Sequence, residues 1–287
     1  MHSILRNIYR GLGRVYPDCL TLSQAIAFNM FLAFFPMLLF AIGLVSSTSF
    51  FQVALREIPH RLSLILPPGS TDVVFAYFVR KNPHPLRWML LGLGGTLFAG
   101  TQVMLGFIEG FRVIEGDLLR PSYWRLNLRA LLLICLTIVP ILVVVVLTVF
   151  GKQVRPALIR LTGLPALVHA VGYLFYVSVV FLLAMGVLLS VYRIGRPGHH
   201  GYKDALPGAC VATILWWVVD IFFGFYVRKM PYDVVYGGLA AAIGLLLWMY
   251  LTAFVVLLGA AYNAEAHEYA LAMEKAEQKP IMTGMFG

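Results

Sequence analysis

YGGLAAAIGLLLWMYLTAFVVLLGAAYNAE, residues Tyr236 to Glu265, decides the fold class. Its centre, Leu239 to Tyr262, is 24 residues without a charge. At about 1.5 Å of rise per residue a helix of that length crosses a hydrocarbon core of roughly 30 Å. Trp88–Ile108, Ala130–Phe150 and Ala166–Tyr192 are likewise uncharged and at least 21 residues long. Read by the same rule, with two further apolar stretches, the chain is all-α and polytopic. Six transmembrane helices are expected, at about 22–46, 88–108, 130–150, 166–192, 205–227 and 239–262.

Composition agrees. The 287 residues are 60% hydrophobic and 12% charged, with a mean hydropathy of +0.84, whereas soluble domains carry about a quarter charged residues. One membrane domain, residues 19–266, uses nearly the whole length. It is preceded by an amphipathic interfacial helix over 1–18 and followed by a polar tail over 267–287. In the first segment Arg6, Arg10 and Arg14 lie on one face and Ile4, Leu5, Ile8 and Leu12 on the other, as in a helix lying at the headgroup layer. That charge alternation leaves no continuous apolar core for a cleavable signal peptide. Two further amphipathic surface helices are expected between Ser49 and Arg87.

The net charge of +9 comes from 22 Lys and Arg scattered over all loops and both tails. Without a basic stripe, membrane lipids and not nucleic acid are the expected partners. The Lys and Arg divide 12 against 10 between the two sides, which sets no orientation. Cys19, Cys135 and Cys210 have no metal or disulfide spacing and read as packing residues. His199 and His200 form a turn without convergent carboxylates, and no nucleophile or phosphate-loop motif occurs. Hence no catalytic residue, metal, cofactor or enzymatic activity is expected.

The second span is rich in glycine, and Gly106 and Gly110 have the spacing of a helix-packing seam. Pro36 interrupts the first span and Pro140 the third. At the end of the second span Glu109, Arg112 and Glu115 are three apart and able to pair along one face. A carboxylate in mid-span costs about 2.5 to 3.5 kcal/mol on insertion scales and must face protein, water or a ligand. Asp220 is that residue, with Trp216, Trp217 and Gly224 one turn away. It fits a structural pair with an arginine, such as Arg112 or Arg228, or a place on a substrate path. Glu109, Arg112, Gln102 and Asn29 complete the candidate polar path, with pairing to Arg112 favoured for Glu109 and an interhelical hydrogen bond for Asn29.

Several segments together resemble the YihY/BrkB family, formerly labelled ribonuclease BN. The residues that carry it are Tyr236, Gly237, Trp248, Tyr250, Gly259 and Ala260 in the last span. Pro207, Gly208, Ala209 and Trp216 in the fifth span and Ala25, Ala27, Phe28 and Pro36 in the first extend it. Ala261 stands where many members carry an acidic residue. The resemblance implies an inner-membrane protein with cytoplasmic termini that moves lipid or another amphiphile, with an AsmA-like envelope protein as a partner. Two alternatives stay open: an ion- or proton-coupled transporter of small solutes, and a non-transporting scaffold for an envelope partner. The sequence is compatible with a homo-oligomer.

Overall fold

The computed structural model describes residues 18–47, 85–117, 122–198, 201–229 and 238–278. The interfacial helix expected before Asp18, the two surface helices before Pro85, His199, His200, Tyr236 and Gly237 lie outside them. The described residues form six long helices and no strand. These are α1 (Asp18–Ser47), α2 (Pro85–Glu115), α3 (Tyr123–Thr162), α4 (Pro165–Gly195), α5 (Tyr202–Lys229) and α6 (Gly238–Gln278). Each is long and apolar enough to cross a membrane. In lipid a chain must satisfy its backbone groups within each segment, so uninterrupted apolar runs become helices.

At 28 to 41 residues, the helices are longer than the bilayer core, about 42 to 62 Å against roughly 30 Å. The excess is polar. α3 ends in KQVRPALIRLT and α6 in EAHEYALAMEKAEQ.

The connections are locally encoded. α2 stops at Gly116, which has φ 66°; its N–H donates to Val113 and that of Asp117 to Arg112 O at 3.0 Å. This reverse-turn cap needs a residue tolerant of the left-handed region. α3 stops in the same way at Gly163, φ 65°, and Pro165 opens α4 two residues later.

The helices close into a ring in chain order, with α6 packing back on α1 and α2 also reaching α4 and α6. α1 and α2 lie antiparallel along their whole length. A Cβ on Gly43 would lie 2.7 Å from the Met89 backbone, one on Gly95 2.8 Å from Pro36, and one on Gly106 2.9 Å from Ile26. The glycines of α2 do not form a single seam. Gly106 faces α1, Gly110 faces Leu257 of α6, and Gly100 faces Ile134 of α3. Residues four apart share a face but are offset by about 40° and one turn, and in a closed ring that face borders two helices, α1 at Gly106 and α6 at Gly110. α2 is therefore the hub of the bundle.

Burial is concentrated at one end. Cys19, Ser23, Ile26, Phe111, Leu133, Tyr192, Ala205, Ala209 and Leu257 through Ala261 belong to the buried core, around the α2–α3 and α4–α5 connections. We call this the packed end. Toward the opposite end large apolar side chains such as Phe35, Leu91, Leu174, Phe175, Ile221 and Phe222 are exposed, as suits a surface in contact with lipid.

At the packed end the backbones of α5 and α6 touch. A Cβ on Gly259 would strike the Tyr192 hydroxyl, Ala212 Cβ at 2.7 Å and Gly208 O at 2.8 Å. Gly259→Val is expected to lower stability by about 1–3 kcal/mol through overpacking. Gly94→Ala, where nothing lies within 4 Å, is expected to change it by less than about 0.5 kcal/mol. Thermal unfolding of the two variants in the same detergent checks this, and equal midpoints would refute the seam.

Candidate functional site

Two polar constellations stand out, one at membrane depth and one at the packed end. The first is centred on Asp220, which lies 4.5 residues past the middle of α5, about 7 Å along the axis. α5 and α6 run antiparallel from the Gly208–Gly259 contact, and this register brings Trp248 opposite Asp220. Trp248 Nε1 donates to Asp220 Oδ1 at 2.7 Å. Among the described residues no Lys or Arg forms an ion pair with this carboxylate. The expected pairing with Arg112 is absent, because Arg112 sits at the packed end bound to other groups; the Arg228 side chain is outside the described set.

The same register sets Trp216 level with Thr252. Trp216 Nε1 and Thr252 Oγ1 are both buried without a hydrogen-bond partner among the described residues. Trp217, on the adjoining face of α5, meets Phe181 of α4 edge-to-face with centroids 5.8 Å apart. With Val177, Ser178, Phe181 and Leu182 it lines an open groove of about 480 Å³. This groove lies on the α4 side of α5, and of the residues around Asp220 it is lined by Trp217.

The second constellation is a charged clamp. Arg112 is 6% exposed; its Nη1 donates to Glu109 Oε2 at 2.7 Å and its Nη2 to Asp117 O at 3.3 Å. Glu109 is half exposed, so the expected i,i+3 pair is formed with its carboxylate at the bundle surface. Glu115 reaches across to α4 and accepts from Arg196 Nε. Arg196 is 1% exposed, and its Nη1 has no hydrogen-bond partner among the described residues. Beside it Arg193 lies over the Tyr202 ring at 3.6 Å, joining α4 to α5.

The remaining path candidates are separate from both constellations. Gln102 is exposed on the outer face of α2, and Asn29 is half-buried on α1 and forms no hydrogen bond among the described residues. Cys19 is buried and Cys135 exposed. Cys210 is partly buried near Met185 Sδ, at 3.6 Å. No group of three or more His, Cys, Asp or Glu side chains converges among the described residues.

Sequence reasoning missed four residues. Arg196 was counted only among the Lys and Arg scattered over the loops. Asn263, 1% exposed, accepts from Gly208 N at 2.7 Å and donates to Ala205 O at 3.1 Å, bracing the start of α5 beside Pro207. Tyr192 donates to Val256 O at 2.8 Å and packs on Phe111, centroids 5.6 Å apart. Thr252 was passed over inside an apolar run. A polar residue one turn from Gly259 was the signal available for Asn263; nothing local marks Arg196 as buried.

Residues 16–281 match the family described as Virulence factor BrkB. The chain belongs to this family. Among BrkB-family relatives, a Bacillus subtilis protein named putative ribonuclease-like protein YfkH is 23% identical over 248 residues, 86% of this chain and 89% of that protein. A UPF0761 membrane protein of Alteromonas mediterranea is 26% identical over 277 residues, 93% of this chain and 89% of its own. One from Janthinobacterium is 23% identical over 245 residues, 84% of this chain; the match spans only 54% of that longer relative. No solved structure matches the chain.

The clamp generates a stability test. Removing one partner of a buried ion pair strands the other charge and costs about 3–5 kcal/mol. Arg196→Met is expected to lose that amount, and the double variant Glu115→Leu with Arg196→Met to regain most of it. Chemical denaturation of the four proteins of this cycle checks the expectation. Additive losses would show that the two side chains are not coupled.

Proposed function

We propose that this BrkB-family membrane protein is a transporter of lipid or another amphiphile, moving it across or out of the membrane without catalysing a reaction. The observation that carries this reading is the layer around Asp220. Among the described residues the Asp220 carboxylate has only a neutral indole partner, Trp248, and Trp217, one turn before it on α5, lines an open apolar groove against α4. Ordinary lipid contact needs no charge at that depth, and an insertion cost of about 2.5 to 3.5 kcal/mol is retained where it serves a polar headgroup. The groove takes the chains, and Asp220 with the tryptophans gives the headgroup a polar stop within the core. The Arg112 and Arg196 clamp holds the packed end closed while the opposite end admits the amphiphile.

On this reading the protein sits in the inner membrane with cytoplasmic termini, and an AsmA-like envelope protein receives the cargo. The lack of a cationic partner at Asp220 among the described residues favours one other reading, a proton- or ion-coupled transporter of small solutes in which Asp220 takes up the coupling ion.

Liposomes reconstituted with the purified protein and fluorescently tailed lipids separate the two. Amphiphile transport predicts lipid movement at least tenfold above empty liposomes, reduced severalfold by Asp220→Asn. Proton or sodium flux that Asp220→Asn abolishes, without lipid movement, would replace it by the second reading.

A further inference from the structure

We infer that the amphiphile carries an ammonium group, and that this cation seats against Asp220 among Trp216, Trp217 and Trp248. The inference rests on the transport reading and deepens it by naming the substrate class.

Three observations converge. Asp220 Oδ1 is engaged by Trp248 Nε1 at 2.7 Å, while Oδ2 has no hydrogen-bond donor among the described residues. No lysine or arginine there forms an ion pair with the carboxylate, which leaves it open to a cation from outside the chain. The surroundings are indoles. Trp216 and Trp217 precede Asp220 by one helical turn, and Trp248 faces it from α6. Indole faces attract large, weakly hydrated cations through the ring quadrupole, and a carboxylate with aromatic walls is the usual recognition chemistry for alkylammonium groups.

Smaller cations fit less well. Sodium takes several oxygen ligands, whereas this layer supplies Asp220 and the single hydroxyl of Thr252. A proton needs no aromatic wall. The layer also has unmet donors: Trp216 Nε1 and Thr252 Oγ1, one turn away, are buried without hydrogen-bond partners among the described residues. A phosphate or ester oxygen next to an ammonium group would accept from them, which matches a zwitterionic lipid headgroup. The groove beside Trp217, about 480 Å³, lies within the size range of small-ligand sites and faces the bilayer from which such a lipid would come.

The test uses the full chain and two independent readouts. In the first, proteoliposomes carry tail-labelled phosphatidylethanolamine, phosphatidylcholine or phosphatidylglycerol with identical acyl chains, and wild type is compared with Asp220→Asn and Trp217→Leu. In the second, intrinsic tryptophan fluorescence of the detergent-solubilised protein is titrated with dihexanoyl phosphatidylcholine, dihexanoyl phosphatidylglycerol and free choline.

The expected result is at least tenfold faster movement and at least tenfold tighter binding of the ammonium lipids over phosphatidylglycerol. Asp220→Asn should remove that preference, slowing and weakening the ammonium lipids at least severalfold relative to phosphatidylglycerol. Equal movement of all three lipids, or a preference that survives Asp220→Asn, overturns the inference and leaves transport standing. Selective binding without movement supports the ammonium site and removes the transport reading. Choline binding as tightly as the lipid, with no lipid preference, overturns the lipid as the source of the cation. A wild type that neither binds nor moves any of them overturns both.

Discussion

The contact between Gly208 and Gly259 is the constraint from which the rest of the bundle follows. With no side chain at either position the backbones of α5 and α6 meet, and Asn263 spans the junction with a bond to Gly208 N and another to Ala205 O. In lipid, apolar side chains give helices little reason to prefer one register over another. Close backbone approach and buried hydrogen bonds do. Tyr192 adds α4 to the same junction through Val256 O. Three helices are thereby fixed in axial position. Asp220 and Trp248, three turns away, meet because that register is set at the packed end.

The two ends of the bundle differ in the chemistry of their contacts. The packed end combines alanines and glycines with two buried arginines whose charges are met by Glu109, Glu115 and Asp117. Both arginines stand where a helix ends, so the clamp ties loops as well as helices. At the other end the described surfaces are aromatic and aliphatic and largely exposed. A base closed by buried ion pairs beneath exposed apolar helix faces is the framework on which the transport proposal stands.

The apolar runs made the six helices legible, since a bilayer imposes one length and one secondary structure. The Glu109–Arg112 pair was legible as well, because three residues along a helix is a local distance. What remained hidden depends on helix order and rotation. Trp248 stood out in the sequence as a family landmark and proves to be the partner of Asp220, which no local pattern encodes. Gly106 and Gly110 looked like a seam for one neighbour and instead serve two. Arg196 resembled the other basic loop residues, and its burial follows only from α4 ending against α2. The family membership, over residues 16–281, was carried by spacings that survive at low identity.

α6 has a further consequence. Its 41 residues contain no proline, in contrast to α1, α3 and α5, which have prolines inside them. From Trp248 to Gln278 it is one unbroken rod of about 45 Å. Between its polar half and the Trp248 indole lies the Gly259–Asn263 junction with α5, so a position set once at the packed end is carried without a hinge to the Trp248–Asp220 bond.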